Sequence, residues 1–436
     1  MAEPFGIALI GCGTVGGGVA KLLLEQSRRV ADRAGRPLEL RKVVVRDAAR
    51  PRAVALPADM VSTDVRTVLN DPGVQVGVEL AGGTDWARQV VLDLLAAGKH
   101  VVTANKALLA EHGHEIFEAA RKAGRVVAFE ASVMGAVPIV AVLGQALAAN
   151  QVLSLQGILN GTSNFILTAM TEQCQSYATA LAEAQTLGYA EADPTLDVDG
   201  TDAAHKLAIL AQLAFGATVP VHAIDRKGIA EVHEMDIRFA RELGYTIKLL
   251  GEAWLDVNTR QLALHVSPVL LRHQALLAQV RGAGNAIRFL ADAAGEGLLV
   301  GRGAGQLPTA SAVMADIIDL AVGRAQKTFP VMHLWSGGKP TVEVRRSATV
   351  KSRFYLRLQV VDVVGVMADV TRTLADHKIS IASVVQHESP DELEGKNVTL
   401  VIMTHSAQTE QFRGAVSALD RLSCVSPPSV YYPVAE

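Results

Sequence analysis

The amino-acid sequence predicts an α/β protein with three units: a Rossmann-like doubly wound parallel sheet, a mixed α+β domain and a small ferredoxin-like domain. In the first third of the chain, short apolar strands alternate with amphipathic helical patterns, which is typical of a parallel sheet. Helical patterns dominate the middle, and the last part follows the order β-α-β-β-α-β. A length of 436 residues exceeds one ordinary hydrophobic core, so several domains are expected.

The first unit opens with a strand, a glycine turn and a helix. Residues 5–10 form an apolar run, and "GCGTVGGGVAKLLLEQ" follows it directly. Four later strand patterns are "ELRKVVVRD", "VGVELAG", "HVVTAN" and "RVVAFEA". The helical patterns among them include "DWARQVVLDLLAAG" and "HEIFEAARKAG". We place this unit at residues 1–137.

The two later units differ from the first in pattern. At residues 138–345, helical patterns are interrupted by "SLQGILNGTSNF" and by the strand-like "RQLALHVSPVLL". At residues 352–436, a new strand, "RFYLRLQVVD", starts the ferredoxin-like order. We therefore expect three domains with boundaries near these positions.

Composition and charge exclude several classes of partner. The formal net charge of -3 provides no basic field for nucleic acid or for an anionic membrane. Half of the residues are hydrophobic, but no apolar run approaches the roughly 20 residues of a membrane-spanning helix. Cys12, Cys174 and Cys424 match no metal-ligand spacing and no even-numbered disulfide framework. These features, and a strand that begins without a signal peptide, favour a cytoplasmic protein.

The glycine turn predicts a dinucleotide site. Gly11, Gly13 and Gly16 give G-x-G-x-x-G between a predicted strand and a predicted helix. Such a turn lets the backbone and the helix N-terminus approach a pyrophosphate, and Thr14 and Val15 are expected to supply main-chain contacts. The alternative is a glycine turn that only closes a strand-helix corner, but its position at the start of a parallel-sheet pattern favours the dinucleotide.

Two adjacent charges follow the second strand, where such domains select their cofactor. Arg46 suits the 2'-phosphate of NADP, and Asp47 suits the free ribose of NAD. We therefore expect NADP to be favoured and NAD to be tolerated. The alternative is that both are solvated loop charges.

An aspartate and a lysine share one face of a predicted helix. Asp202 and Lys206 are four residues apart, and the following "LAILAQLAF" is apolar on all sides, as in a buried helix. Lys206 is thus a candidate catalytic group, because a lysine desolvated in a cleft has a lowered pKa. The alternative is an ordinary ion pair at a helix start.

Six stretches in one order resemble homoserine dehydrogenases. They are "GCGTVGGGV", "VVTANKALLAEHG", "FEASVMGAVPI", "ILNGTSNFILT", "GYAEADPTLDVDGTDAAHKLAIL" and "GRGAGQLPTASAVMAD". The chain from about Ser352 resembles the ACT regulatory domain of that family. The resemblance implies reversible NAD(P)-dependent conversion of L-homoserine to L-aspartate 4-semialdehyde in threonine and methionine biosynthesis. It also implies that Lys206 is the general acid-base residue.

The resemblance also assigns binding residues for the substrate. Glu191 is the expected substrate-binding glutamate and Asp202 its partner, because the ammonium group of homoserine needs carboxylates. Lys106, at the carboxyl end of a strand, is expected near the nicotinamide and the substrate. Asn160 and Thr162 in "NGTSN" are candidates to line the substrate cleft, although such a polar cluster is also typical of a turn.

Further residues are expected around the cofactor and a cation. Thr103, before "ANK", and Gly305, in "GRGAG", are expected to contact the cofactor, Gly305 from the second domain. The resemblance implies a monovalent cation site, with sodium the expected ion, and oxygen ligands suit a hard cation. Its ligands are the Glu130 carboxylate and the main-chain carbonyls of Val133, Gly135 and Val137.

The tail departs from the usual ACT pattern at one turn. The family has D-R-P-G before its first helix, and this chain has Asp362, Val363, Val364 and Gly365. The fold is expected, with threonine the effector that the resemblance implies, but the altered turn puts effector binding in doubt. Because ACT units commonly pair by sheet edges, we expect a homodimer or homotetramer.

Two other functions are compatible with parts of the sequence. A semialdehyde dehydrogenase that works through a thioester requires a nucleophilic cysteine in the second domain, and only Cys174 lies there. A catalytically inactive amino-acid sensor would keep the dinucleotide fold and the tail. The presence of Lys206, Glu191 and Lys106 argues against the sensor.

Overall fold

The computed structural model describes residues 3–336, 342–345, 350–387 and 397–435. Its first unit contains a six-stranded sheet and its covering helices. The strands are β1 Phe5–Ile10, β2 Leu38–Val44, β3 Val61–Ser62, β4 Val76–Glu79, β5 His100–Thr103 and β6 Val127–Ala128. The helices are α1 Thr14–Glu25, α2 Ser27–Ala34, α3 Arg66–Leu69, α4 Asp85–Ala96 and α5 Lys106–Lys122.

All strand pairs in this first sheet are parallel, in the order β3-β2-β1-β4-β5-β6. This is the doubly wound order with a topological switch point between β1 and β4. Ile10, at the end of β1, pairs with Val44 on one side and with Glu79 on the other. The predicted Rossmann-like sheet is therefore confirmed, and its ligand edge lies beyond these three residues.

The second unit combines helices with long antiparallel strands. Its helices are α6 Ile139–Ala141, α7 Gly161–Glu172, α8 Tyr177–Thr186, α9 Thr195–Val198, α10 Thr201–Phe215, α11 Glu234–Glu242, α12 Gln306–Val322 and α13 Arg324–Thr328. Its strands are β7 Val152–Ile158, β8 Asp225–Arg226, β9 Tyr245–Asp256, β10 Gln261–Arg272, β11 Gly284–Ala291, β12 Gly295–Arg302 and β13 Glu343–Val344. Helix α10 packs on one face of β9, and α12 returns to pack on α1 of the first unit.

The C-terminal unit, residues 350–387 and 397–435, has the predicted ferredoxin-like order. Its elements are β14 Lys351–Val361, α14 Val366–Asp376, β15 Ile381–Gln386, β16 Asn397–Thr404, β17 Ala407–Gln408, α15 Thr409–Leu419 and β18 Val425–Ala435. Val363 and Val364 are exposed in the turn before α14, which begins after Gly365 at a φ of +98°. The glycine supplies the left-handed conformation that this turn needs.

One continuous second sheet joins the last two units. Its main path is β12-β11-β7-β9-β10-β18-β14-β16-β15, and three short strands complete its twelve. The junction is parallel, with Leu270 and Leu271 of β10 opposite Val434 and Ala435 of β18. The C-terminal unit is thus joined to the middle of the chain by backbone hydrogen bonds.

A buried carboxylate strengthens this junction. Asp236 of α11 is fully buried and accepts hydrogen bonds from Arg357 Nε at 2.6 Å and from the Tyr355 hydroxyl at 3.0 Å. Tyr432 also reaches it, at 3.4 Å. Burial, reinforced by the negative Asp236, raises the pKa of both tyrosines, so they stay neutral donors. None of the described helices is long and apolar enough to cross a membrane.

Candidate active site

The three glycines of the turn after β1 have different surroundings. A Cβ on Gly11, whose φ is +101°, would lie 2.6 Å from the Leu80 carbonyl oxygen, and one on Gly16 would lie 2.2 Å from the Gly11 carbonyl oxygen. Around Gly13 there is no atom within 4 Å. The outer two glycines therefore allow close packing, while the middle one leaves space for a phosphate to approach the backbone.

The first turn of α1 faces this space, and the amides at the start of a helix have no acceptor within the helix. Thr14 and Val15 are its first two residues, and the turn contains no acidic side chain. Gly18 lets α12 approach, because a Cβ there would lie 2.8 Å from the Gln306 carbonyl oxygen. Gly305 precedes Gln306 with a φ of +118°. The helix after the glycine loop and the residue after Gly305 therefore lie close together, although they are distant in sequence.

A buried glutamate that the sequence analysis did not single out holds the adjoining loop. Glu79 accepts the amides of Ala81 and Gly82 at 2.9 and 3.1 Å and the hydroxyl of Thr103 at 2.7 Å. The hydroxyl of Thr103 also accepts the amide of Asn105 at 3.0 Å. Thr103 thus organises the cleft wall rather than extending its hydroxyl into the cleft. The sequence signal for Glu79 was a single charged residue within the apolar run "VGVELAG".

The two charges after β2 have different environments. Asp47 and Arg46 are both exposed, but Asp47 accepts the amide of Ala49 at 2.9 Å in a local turn. No hydrogen bond or ion pair engages the Arg46 guanidinium within the described residues. The guanidinium is therefore the more available of the two charges for a ligand.

A carboxylate and two ammonium groups form the centre of the site. Asp202 accepts Lys206 Nζ at 2.7 Å and Lys106 Nζ at 2.8 Å. Lys206 also donates to the Leu159 carbonyl at 2.7 Å. The side chain of Lys106 is 39% exposed and that of Lys206 only 10%. Helices α5 and α10 thus bring two lysines one hundred residues apart onto one carboxylate, with Lys106 at the cleft mouth.

The charges of this triad are shifted by burial and by each other. Burial lowers the pKa of Lys206, against the attraction of Asp202. Burial acts in the same direction on Lys106, but the nearby carboxylates, Asp202 foremost, outweigh it and raise its pKa. Although burial disfavours a carboxylate, the two ammonium groups hold the pKa of Asp202 well below its usual range. Of the two lysines, Lys206 is therefore the one that loses its proton at lower pH.

Asn160 connects this triad to the loop before α7. Its side-chain Nδ2 donates to Asp202 at 2.9 Å and to Asp197 at 2.7 Å, and its Oδ1 caps α7 at the Ser163 amide. Thr162 is buried and donates its hydroxyl to the Tyr189 carbonyl at 2.7 Å. Asn160 thus belongs to the site directly, whereas Thr162 fixes the neighbouring loop.

Two more carboxylates lie beside the lysines. Glu191 is exposed and near enough to act on the charge of Lys106, and its carboxylate makes no hydrogen bond to any described residue. Asp197, which the sequence analysis did not select as a site residue, accepts a hydrogen bond from Asn160 and so joins the site. Burial and the neighbouring Asp202 raise the pKa of Asp197. The fold therefore surrounds the two ammonium groups with three carboxylates.

The segment expected to hold a cation contains a carboxylate with two main-chain donors. Glu130 is buried, and its carboxylate accepts the amides of Val140 and Ala141 at 2.9 and 2.8 Å. Gly135 has a φ of +55°, and a Cβ there would lie 2.5 Å from the Gly303 carbonyl oxygen. The Val137 carbonyl accepts the Ile139 amide at 2.8 Å. This segment therefore packs against the loop that leads to Gly305.

Asp316 adds a second carboxylate to this segment. It accepts the Glu130 amide at 2.9 Å, and Asp319 lies close to both side chains. Burial, with the mutual repulsion of these acids, raises the pKa of Glu130 and of Asp316. The sequence analysis did not select Asp316, because it lies inside the periodic pattern of α12.

Neither Cys174, the nucleophile that a thioester mechanism would need, nor His205, which precedes Lys206, has the surroundings of a catalytic group. Cys174 is an exposed free thiol, and no base is hydrogen-bonded to it within the described residues. This is the opposite of a thiolate site, which needs an adjacent positive charge or base. His205 is partly buried on α10, and burial lowers its pKa, as for a packed neutral ring.

Comparisons with known proteins match nearly the whole chain to one family. Family models match at residues 11–130 (homoserine dehydrogenase, NAD binding domain), 138–318 (homoserine dehydrogenase) and 354–424 (ACT domain). A homoserine dehydrogenase of Neisseria gonorrhoeae is 41% identical over 429 residues, covering 98% of this chain and 97% of that protein.

Solved structures give the same result. The crystal structure of a homoserine dehydrogenase from Thiobacillus denitrificans aligns with a TM-score of 0.89 at 38% identity, over 100% of this chain and 99% of that one. A hyperthermophilic archaeal homoserine dehydrogenase in complex with NADPH aligns with a TM-score of 0.62 at 26% identity, over 73% of this chain and 97% of that one. With its dinucleotide cleft, its buried lysine and its C-terminal ACT domain, the chain belongs to the homoserine dehydrogenase family of oxidoreductases.

Proposed function

We propose that Lys206 is the general acid-base of a reversible conversion of L-homoserine to L-aspartate 4-semialdehyde. The observation that carries this proposal is the buried Lys206, whose pKa burial lowers and whose neighbour Lys106 begins the helix after β5, at the ligand edge of the first sheet. A bound nicotinamide cofactor would supply the acceptor for the hydride that leaves C4 of homoserine. Lys206 Nζ takes the hydroxyl proton as the C=O bond forms, and it returns that proton in the reverse direction.

The surrounding residues orient Lys206 and the substrate. Asp202 and the Leu159 carbonyl accept two of the three hydrogen bonds that Lys206 Nζ can make. The third position is left for the substrate hydroxyl group. Lys106 at the cleft mouth binds a substrate oxygen near the nicotinamide. Glu191, which has no other partner in the described structure, binds the substrate ammonium group with Asp202, while Asn160 and Thr162 shape the floor of the cleft.

An isotope-transfer experiment tests this reaction. The enzyme is supplied with L-homoserine carrying deuterium on C4 and with NADP or NAD. We expect deuterium in the reduced nicotinamide and a reduced rate in single-turnover measurements. Reduced cofactor without deuterium would rule out hydride transfer from C4, and no turnover with either cofactor would contradict the whole assignment.

The cofactor site favours NADP and accepts NAD in this proposal. Its support is the unengaged guanidinium of Arg46 beside the local turn of Asp47. A guanidinium pairs well with a phosphate, whereas the Asp47 carboxylate is partly satisfied by its own loop. Gly11, Gly13, Gly16 and the first amides of α1 would hold the pyrophosphate.

A monovalent cation, sodium in this proposal, is held by Glu130 and the carbonyls of Val133, Gly135 and Val137. Its support is the adjacent pair of buried acids, because a cation would offset the repulsion between Glu130 and Asp316. Replacing sodium chloride by choline chloride at constant ionic strength tests the site. Activity that is independent of the cation would contradict it.

The remaining elements of the proposal concern organisation and regulation. The domains are residues 1–137, 138–345 and 352–436. The protein is a homodimer or homotetramer in the cytoplasm. Its product serves threonine and methionine synthesis. Three free cysteines support a reducing compartment. The C-terminal unit would bind an amino-acid effector, with threonine the first to test, because it belongs to the ACT family. Sedimentation of the intact protein, with and without threonine, tests the assembly.

A further inference from the structure

We propose that a polar cavity beside the start of β9 binds the phosphate group of a small molecule. We call it the α7–α11 cavity, because these two helices form its sides together with β9 and the segment after β10. Its volume of about 420 Å³ lies in the range of small-molecule pockets and exceeds the size of a phosphate group. No described residue of the C-terminal unit, of the substrate site or of the dinucleotide cleft lines it. The inference therefore does not depend on the proposed reaction.

Lys248 of β9 is a buried cation at the base of the α7–α11 cavity. It is 2% exposed, and its Nζ donates to Asn164 Oδ1 at 2.8 Å and to the Val280 carbonyl at 2.7 Å. Both acceptors are neutral, and no carboxylate of a described residue forms an ion pair with this ammonium group. A buried charge is stable only when it is compensated. An anion in the cavity would compensate it and accept the third hydrogen bond that Nζ can donate.

Two arginines add positive charge at the rim. Arg281 follows β10 and pairs with Glu172 of α7 at 3.0 Å. Arg241 of α11 also lines the cavity, and no hydrogen bond or ion pair engages its guanidinium within the described residues. The three cations of the lining therefore face one carboxylate, which is already paired. This excess of two positive charges matches a phosphate dianion better than a monocarboxylate, and a guanidinium pairs well with phosphate oxygens.

The threonines of the lining do not compete for the role of donor. Thr168 and Thr171 both donate their hydroxyl groups at 2.7 Å to main-chain carbonyls of α7. The hydroxyl of Thr246 shares a hydrogen bond of 3.0 Å with Nδ1 of His273. The free donors of the cavity are thus mainly those of Lys248 and Arg241. Such a site selects a ligand that is rich in acceptors and negatively charged, as a phosphate group is.

A phosphate bound here would connect elements that are distant in the sequence. Lys248 brings β9, Arg241 brings α11, and Asn164 belongs to α7. The Asn164 Nδ2 atom also donates to the carbonyls of Val280 at 3.2 Å and Gly284 at 3.0 Å. The ligand would therefore stabilise the native protein, and the midpoint of thermal unfolding should rise with its concentration.

The test is calorimetric titration of the intact protein in phosphate-free buffer at constant ionic strength. The probes are inorganic phosphate, glycerol 3-phosphate and, as a monocarboxylate, acetate. The cavity variants are Lys248→Met and Arg241→Gln, and the second changes an exposed residue that the fold does not need. Arg238→Gln, an exposed arginine of the same helix outside the cavity, is the matched control. Arg46→Ala separates this site from phosphate binding in the dinucleotide cleft.

We expect at least one phosphate probe to bind with a dissociation constant of about 1 mM or below. Its affinity should fall about 10-fold or more in both cavity variants and stay unchanged in Arg238→Gln and Arg46→Ala. Acetate should bind at least about 10-fold more weakly than that probe. Tighter binding of glycerol 3-phosphate than of inorganic phosphate would identify a phosphate monoester as the ligand, and the reverse order would identify free phosphate.

Proton uptake shows whether Lys248 meets the phosphate group. The titratable groups that face it in the cavity are Glu172 of α7, Arg241 of α11, and His273 and Arg281 after β10. A bound anion favours the ammonium form, so the pKa of Lys248 should rise from about 8 and the protein should take up protons at pH 8. Titration with glycerol 3-phosphate in two buffers of different ionisation heat measures this uptake. It should be present in the parent protein and absent in Lys248→Met, which retains His273.

Four results would overturn the proposal. They are that neither phosphate probe binds, that acetate binds as tightly as the phosphate probes, or that affinity is equal in the cavity variants and in Arg238→Gln. The fourth is that affinity falls in Arg46→Ala but not in the cavity variants, which would place the phosphate in the dinucleotide cleft. None of these measurements uses turnover, so failure of the proposed reaction would leave this inference intact.

Discussion

Replacing Lys206 by methionine should abolish most of the proton transfer while it keeps the packing of the side chain. General acid-base catalysis contributes roughly 100-fold to 10,000-fold, so kcat should fall at least about 100-fold, or about 2.7 kcal/mol in the barrier. Asp202 keeps a cationic partner in the variant, because Lys106 remains 2.8 Å away. The variant should therefore fold: Asp202 and the Leu159 carbonyl each lose the Lys206 donor, but Asp202 keeps Lys106 and Asn160.

The assay follows nicotinamide absorbance across pH in the direction of homoserine oxidation. In the parent enzyme the rate should rise with pH, because neutral Lys206 is the base and burial lowers its pKa from the usual value of about 10.4. This rise should disappear in the variant, while the dissociation constant of the cofactor stays unchanged. Lys248→Met is the matched control: Lys248 is also buried, and burial lowers its pKa to about 8, but it donates hydrogen bonds to Asn164 and to the Val280 carbonyl. A Lys206→Met enzyme with kcat within a factor of about three of the Lys248→Met control would refute the mechanism.

Three further substitutions test the other assignments. Glu191→Gln should raise the homoserine KM about 10-fold with a smaller change in kcat, and an unaltered KM would remove Glu191 from substrate binding. Arg46→Ala should weaken NADPH binding about 10-fold more than NADH binding; Arg50→Ala in the same loop is the control, and equal losses for both cofactors would place Arg46 elsewhere. Asp202→Asn removes the carboxylate that opposes the effect of burial on Lys206. The pKa of Lys206 should then fall further, so the rising limb of homoserine oxidation should move to lower pH, and a shift to higher pH would contradict the charge arrangement.

Local sequence patterns were sufficient to predict the strand-turn-helix opening, the buried helix α10 and the contact between Asp202 and Lys206. The strand-turn-helix opening followed from an apolar run and three glycines, and Gly11 does adopt a positive φ. Asp202 and Lys206 meet because residues four apart share a helical face, a rule that needs no tertiary information. The buried nature of α10 followed from its all-round apolar pattern.

Contacts between distant parts of the chain could not be predicted in the same way. Lys106 meets Asp202 only because α5 and α10 pack together, and Asp236 meets Arg357 across 121 residues of sequence. The residues around each partner do not indicate which distant residue it will contact. Gln156, Glu252 and His265 are similar, since they lie on three separate strands, β7, β9 and β10, and face one another across the sheet. Only the register between strands shows that these residues are neighbours.

The pairing of β10 with β18 has a consequence for biosynthesis. The edge of β10 emerges from the ribosome long before β18, because the end of the second unit and all earlier elements of the C-terminal unit lie between them in the sequence. Until β18 arrives, that part of the edge, next to the apolar Leu270 and Leu271, is open to pairing with other nascent chains. A stop codon ahead of β18 would therefore do more than remove a regulatory domain. It would leave Lys206 and the other residues of the proposed active site on a chain prone to aggregate.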